Sequence, residues 1–279
     1  IQYSEYMLDA FHKEFRYRIS IFVFIFYTCW WIILYFAQTT DTTFSELFSD
    51  TYGITALIGC FIGIGVGVRW GGWKSKMGRA VLAFACGLAA QAFGQFMYTF
   101  YFLTKGIEAA YPSLGDIGYF GSIPLYIYGA VVLADAAGIK FSLKKMHNAL
   151  FAIVLPLGLL AASYYSFLVG YEIDFNEPVR VFLDFAYPLG QAIYISIALV
   201  TFVLSQRILG GVMRKKILFI LIALTLQYAA DYLFLYQQIQ ETWVAGGVND
   251  YLYLVSYFVM TMALFNIRIS DVRSKLVTE

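Results

Sequence analysis

The chain has 279 residues, of which 61% are hydrophobic and 13% charged, with a net charge of +1. Soluble domains carry about 25% charged residues, so this composition excludes a water-soluble globule and makes the bilayer the solvent for most of the surface. The net charge says little about partners until it is sorted by loop, and no nucleic-acid partner is expected.

The first residue is Ile, so a piece of a longer protein is expected. No secretory signal is read, because the first apolar run follows a charged stretch and is long enough to span. Residues 1–17 contain "YSEYMLDAFHKEFRYR", which places Tyr3, Met7, Ala10, Phe11 and Phe15 on one helical face. That pattern predicts an amphipathic helix lying on the cytoplasmic membrane interface, with a partner-docking helix as the alternative. Residues 18–267 form the membrane domain. Apolar runs near 18–37, 52–69, 79–104, 115–136, 148–169, 178–206, 215–238 and 250–267 approach the length of about 20 residues that a span needs. The second run is short and glycine-rich. Its Gly59 and Gly63 form a small-xxx-small pair, read as a helix-packing seam rather than a hinge. Residues 268–279 are a cytoplasmic tail or connector. Cys29, Cys60 and Cys86 all lie in apolar runs and read as small core residues, with neither a disulfide nor a metal site expected.

Lys and Arg sort sharply by loop. Lys13, Arg16 and Arg18 fall on one side, as do Arg69 to Arg79, Lys140 to Lys145, Arg207 to Lys216, and Arg268 to Lys275. Only Lys105 and Arg180 fall on the other, where the loops carry Asp41, Glu46, Asp50, Glu108, Glu172, Asp174, Glu177 and Glu241. Cytoplasmic loops hold the excess of Lys and Arg. The expectation is an all-α, multi-pass cell-membrane protein of eight transmembrane helices with both termini cytoplasmic.

Asp50, Asp116, Asp184 and Asp250 recur at intervals of about 67 residues, as an internal repeat would produce. Three open an aromatic pattern: D-I-G-Y, D-F-A-Y and D-Y-L-Y. The preceding runs match as well, with Gln91 over Gln227 and Gln95 over Asp231. Four helical hairpin repeats are therefore expected. Asp50, Asp116 and Asp250 read first as helix-start residues, with Ser113 as cap and Asp116 in the first turn.

Asp184 and Asp231 are expected about two turns inside the membrane, where an ionisable group suggests function. Arg180, one turn from Asp184, is a candidate partner. Gln91 and Gln95 share a helix face, as do Gln227 and Asp231, and as do Asp184, Tyr187 and Gln191. With Tyr98, Asp116, Tyr119, Tyr194, Tyr232, Asp250 and Tyr253 they outline a polar pocket opening to the outside. Aromatic rings with carboxylates suit a cationic or amphipathic ligand. Asp184 and Asp231 are expected to face each other across packed helices.

The only histidines, His12 and His147, fall in cytoplasmic stretches, so histidine metal sites and bis-histidine haem within the membrane are not expected. No span holds a lysine for a retinal Schiff base. Hydrolase, zincin, Walker and CxxC motifs are absent. No catalytic residue and no cofactor are assigned.

The segments "PSLGDIGYFGSIPLYIYG", "LDFAYPLGQ" and "ADYLFLYQ…GGVNDYLYLVSYFVMTMAL" carry a resemblance over roughly residues 80–267. The chain resembles the multispan N-terminal membrane sensor domain with a P-S-x-x-D-x-x-Y pattern, which precedes diguanylate cyclase, phosphodiesterase or histidine-kinase modules in bacterial and archaeal signalling proteins. The resemblance implies a sensory role and a cytoplasmic signalling partner. It departs from that pattern at Gly94-Gln95, where the family has Gly-Asp. The expected function is a membrane sensor or regulatory module, the alternative an accessory subunit of a larger membrane complex.

Overall fold

The computed structural model describes residues 2–37, 43–105, 111–136, 146–171, 173–205, 211–240 and 242–267. These form helices α1 (Gln2–Ala37), α2 (Thr43–Thr51), α3 (Ile54–Arg69), α4 (Lys76–Lys105), α5 (Leu114–Ala136), α6 (Met146–Phe167), α7 (Pro178–Ser205), α8 (Gly211–Ile239) and α9 (Val248–Asn266), and no strand occurs among the described residues. In lipid a backbone must satisfy its own hydrogen bonds, and helices do so within one segment. The tail at 268–279 lies outside the described residues.

Seven helical segments among the described residues are long and apolar enough to cross a bilayer: Phe15–Ala37, Thr43–Arg69, Lys76–Thr104, Leu114–Ala136, Pro178–Thr201, Lys216–Gln238 and Val248–Asn266. The fifth expected span coincides with α6. That helix has 22 residues, about 33 Å at the α-helical rise, and its described apolar part is the shorter Ile153–Ser166.

Two local expectations change. The N-terminal stretch continues into the first span: α1 runs without a break for 36 residues, about 54 Å, well beyond a hydrocarbon core of about 30 Å. The stretch before α3, read as an outer loop, contains α2. Its signal is visible in "TFSE", a Thr-x-x-Glu spacing before an apolar residue, with Glu46 in the first turn.

The starts of α3, α5, α7 and α9 gather at one end of the bundle. Thr99 near the end of α4 donates to the Asp50 carbonyl (2.8 Å), and the Trp31 indole near the end of α1 donates to the Gly247 carbonyl (3.2 Å). At the other end the Trp70 indole holds the Ile267 carbonyl (2.8 Å), and Lys76 pairs with Asp135.

The last helix is central. Of the apolar window of α9, 67% is buried, against 17% for α1, which places α9 in the interior and α1 at the periphery. Tyr253, Ser256, Tyr257 and Thr261 recur at helical spacing along α9 and point inward. Helix α3 reaches α9 through its glycines. A Cβ on Gly59 would lie 2.2 Å from Thr261 Oγ1 and 2.7 Å from Leu88 Cδ1, and one on Gly63 would lie 2.7 Å from Ala85 Cβ. This pair is a packing seam, because only a missing side chain lets three helices approach so closely. Helices α4 and α5 touch in the same manner at Gly118, where a Cβ would lie 2.4 Å from the Ala90 carbonyl oxygen. That approach brings the glutamines of α4 within reach of hydroxyls on α5.

Candidate functional site

Burying a polar side chain in a membrane protein is costly unless it is hydrogen-bonded, and the expected site residues find partners partly among themselves and partly in side chains and carbonyls not among them. The Gln91 amide donates to Ser122 Oγ (2.8 Å) and its carbonyl accepts from Tyr257 (3.0 Å). The Gln95 carbonyl accepts from Tyr119 (3.0 Å) and its amide donates to the Ser49 carbonyl (2.7 Å). On α8, the Gln227 carbonyl accepts from Ser256 (2.8 Å) and its amide donates to Asp231 Oδ1 (3.0 Å). Asp231 Oδ1 also accepts from Tyr253 (2.8 Å), and Oδ2 accepts from Tyr194 at 3.5 Å. Three helices thus converge on one carboxylate, and α9 links the two glutamine-bearing helices.

The two hairpins repeat the same contacts. Tyr119 bonds Gln95 as Tyr253 bonds Asp231. Ser122 bonds Gln91 as Ser256 bonds Gln227. The sequence signal for the serines is a D-x-x-Y-x-x-S spacing at 116–122 and 250–256, longer than the pattern read above. Ser122, Ser256 and Tyr257 belong to the site and were not among the expected residues.

Asp116 is both cap and tie. Its Oδ2 accepts from the Ser113 backbone N–H (2.7 Å) while Ser113 Oγ accepts from Gly115 (3.1 Å), the reciprocal arrangement of a capping box. Its Oδ1 accepts from Tyr187 (2.8 Å), fastening α7 to α5. Asp250, fully enclosed, accepts from the Gly246 N–H (2.8 Å) and from the Ser49 hydroxyl. Asp50 does not cap α3: it lies in the last turn of α2, and Gly53 at the α3 N-cap has no side-chain cap.

The facing pair of Asp184 and Asp231 requires correction. Asp184 accepts from Tyr111 (2.7 Å) and Tyr171 (2.6 Å), with Arg180 at 4.0 Å, and shares none of these partners with Asp231. Tyr194, the α7 residue that reaches Asp231, lies about 15 Å farther along the helix than Asp184. Equal distance from the helix ends suggested equal depth, but the inward reach of Tyr194 and Tyr253 sets where Asp231 is bound. Asp184 is instead a latch at the end of the bundle where α7 begins, joining the segments before α5 and after α6 to α7. Tyr187, expected to line the pocket beside Asp184, turns to Asp116.

Burial first, and then the Asp184 carboxylate, push the Tyr171 phenol up to about 12. The same causes in the same order raise Tyr111. A phenol raised in the folded state contributes stability that is fully present below its unfolded value near 10 and is lost as pH rises through about 12. Tyr171→Phe removes the ionisable group, so the alkaline loss of stability between those limits is expected to be smaller in the variant than in the parent. Thermal melts at stepped pH measure it. At neutral pH an asparagine at this position keeps an oxygen that can accept a phenol hydrogen, and Asp184→Asn should cost about 1 kcal/mol.

Gln191 is buried between Tyr187 and Tyr194 on α7, and its Oε1 has no donor among the described residues. The same holds for Asn249 Oδ1, whose amide donates to the Ala230 carbonyl (2.7 Å). Tyr98 packs its ring against Tyr119 at 5.9 Å, and Tyr232 reaches Ser163. A void of about 10 Å³ lies away from this network, among Phe84, Ala198, Ile220 and Leu224, and is no larger than one water. No group of three or more His, Cys, Asp or Glu among the described residues is arranged to hold a metal. No family model, curated protein or solved structure matches the chain.

Proposed function

We propose that the chain is a membrane sensor or regulatory module whose ligand site is the polar network around Asp231, Gln91, Gln95, Gln191 and Gln227. In this reading it crosses the cell membrane eight times, with α6 as the fifth span, and both termini are cytoplasmic as the Lys and Arg distribution requires. The repeated Tyr119–Gln95 and Tyr253–Asp231 contacts support descent of α4–α5 and α8–α9 from one hairpin unit, and the aspartate spacing extends that unit to four hairpins.

The observation that carries the reading is the composition of the buried network: a carboxylate, three amides and four phenols, with the Gln191 acceptor left open. Structural cohesion within lipid does not require a carboxylate, which is expensive there and marks function by default. Phenol rings and an acid suit a cationic or amphipathic small molecule, lipids included. Asp116 and Asp250 position the helix starts that aim Tyr119 and Tyr253, and Asp184 holds the rim. Occupancy exchanges internal hydrogen bonds for ligand bonds and so favours one packing of α8 against α9 over another. The shift is limited by the differential affinity of the ligand for the two packings. Trp70, holding the end of α9, lies where that change reaches a cytoplasmic signalling partner.

Asp231→Asn is expected to abolish ligand-dependent stabilisation and output while Asp184→Asn retains both. Unchanged behaviour in Asp231→Asn rejects the site. A second reading, an accessory subunit, is favoured by α1, whose exposed Phe22, Ile25, Phe26, Ile33 and Phe36 form an apolar flank. Lipid covers that flank in the first reading and a partner chain in the second, and stoichiometric co-purification from native membranes selects the second.

A further inference from the structure

The polar network does not reach the outer end of the bundle uncovered. Helix α2 lies across it. The last carbonyls of a helix have no partner within that helix, and in α2 they are held from below by side chains of other helices. Gln95 donates to the Ser49 carbonyl (2.7 Å), Thr99 to the Asp50 carbonyl (2.8 Å) and Tyr27 to the Thr51 carbonyl (2.9 Å). The Ser49 hydroxyl is given to Asp250. Tyr52, just past the helix, stacks over Tyr253 and Tyr257 with ring centroids 6.5 and 6.1 Å apart. Those two phenols bind Asp231 and Gln91.

The rest of α2 is built differently. Phe44 and Leu47 are exposed, and Phe48 is its one fully enclosed apolar side chain, packed against Tyr27 and Trp30, with Ser45 enclosed beside Gly246. A helix of nine residues has little stability by itself. Its closed position therefore depends on tertiary contacts, and two of the pins, Gln95 and Thr99, stand one turn apart on α4. Gln95 occupies the position that Asp231 holds in the other hairpin. A carboxylate there would accept from Tyr119 equally well, but only the amide also donates to Ser49.

We infer that α2 is a lid over the outer mouth of the Asp231 network, released by loss of the Gln95 and Thr99 pins, and that it gates entry of small amphipathic molecules from the outer leaflet. This rests on the site proposed above. The lid connects occupancy to packing, because a molecule competing for Gln95 or Asp250 breaks a lid contact as it binds.

Alkylation of a buried reporter tests the gate without any ligand. The protein carries Ser256→Cys in a background with Cys29 and Cys86 replaced by Ala, and native Cys60, buried on α3, serves as internal control. The probe is N-ethylmaleimide applied to the protein in lipid nanodiscs. Adding Gln95→Leu and Thr99→Val is expected to raise the reporter rate at least tenfold and leave Cys60 unchanged. A Cys pair at Ser45 and Gly246, where a Cβ on Gly246 would lie 3.0 Å from Ser45 Cβ, cross-links the lid shut. Its oxidation should slow reporter labelling at least tenfold, and reduction followed by desalting should restore it. Equal rates in the pinned and unpinned proteins overturn the inference, as does a parallel rise at Cys60, which marks general loosening. If the cross-link does not form, the unpinned variant alone decides. Gated labelling in a protein that no lipid or amphiphile stabilises would retain the lid and reject the sensor site. Ungated labelling in a protein that such a molecule does stabilise would do the reverse.

Discussion

Asp231→Leu is expected to lower the apparent melting temperature of the detergent-solubilised protein by roughly 6–12 °C. The substitution removes the acceptor for Tyr253, Gln227 and Tyr194 together. A buried donor left without a partner costs about 1–3 kcal/mol. Rearrangement among the phenols recovers part of this, leaving a net loss on the order of 3 kcal/mol. Asp231→Asn behaves differently. Its amide oxygen can occupy the Oδ1 position, where both Tyr253 and Gln227 donate, and Tyr194 can accept from the new NH2. The expected cost is about 1 kcal/mol or less. The contrast separates cohesion from charge: Leu tests whether the network holds the helices, Asn whether function needs the carboxylate. Equal melting temperatures for parent and Leu variant would show that the network does not hold α7, α8 and α9 together.

Gly59→Leu is expected to be at least as damaging by a different route. Its first side-chain atom would fall 2.2 Å from Thr261 Oγ1 and 2.7 Å from Leu88 Cδ1, on α9 and α4. Neither neighbour can withdraw freely, since Thr261 is tied to the Tyr257 carbonyl (2.7 Å) and Leu88 is fully enclosed. The helices must separate, and overpacking of this kind costs about 3 kcal/mol or more. Loss of the monodisperse peak in fluorescence-detected size exclusion reads the effect. Gly65→Leu is the control: an added Cβ there meets only the Arg16 guanidinium, at 3.2 Å, which can swing aside. Comparable losses in both variants would argue against a specific seam.

The helical, membrane-embedded character was legible because an apolar run of span length has few other uses. The Gly59–Gly63 seam was legible from spacing alone, and so was the capping box at Ser113 and Asp116. Gln91, Gln95, Gln227 and Asp231 stood out because a polar residue inside an apolar run is rare. What could not be read was partner choice. Asp184 and Asp231 lie at similar distances from their helix ends, yet one is bound by tyrosines of flanking segments and the other by tyrosines of α7 and α9. A phenol reaches more than a helical turn from its backbone, so depth along a helix does not fix which acid it meets. Helix α2 was missed because its apolar residues are few and it follows a polar stretch, although "TFSE" carried its start signal. The unbroken α1 was missed for a similar reason. Amphipathic periodicity predicts a helix but cannot say whether it continues straight into the next one.

In the proposed function the buried network around Asp231 is a ligand site and not only internal cohesion. Its most direct test is a thermal-shift titration of the purified protein in nanodiscs with fractionated total lipid extract of the native membrane, run in parallel on Asp231→Asn and Asp184→Asn. One fraction is expected to raise the melting temperature of the parent and of Asp184→Asn by several degrees while leaving Asp231→Asn unmoved. A shift of the same size in all three proteins, or none in the parent across every fraction, would contradict it.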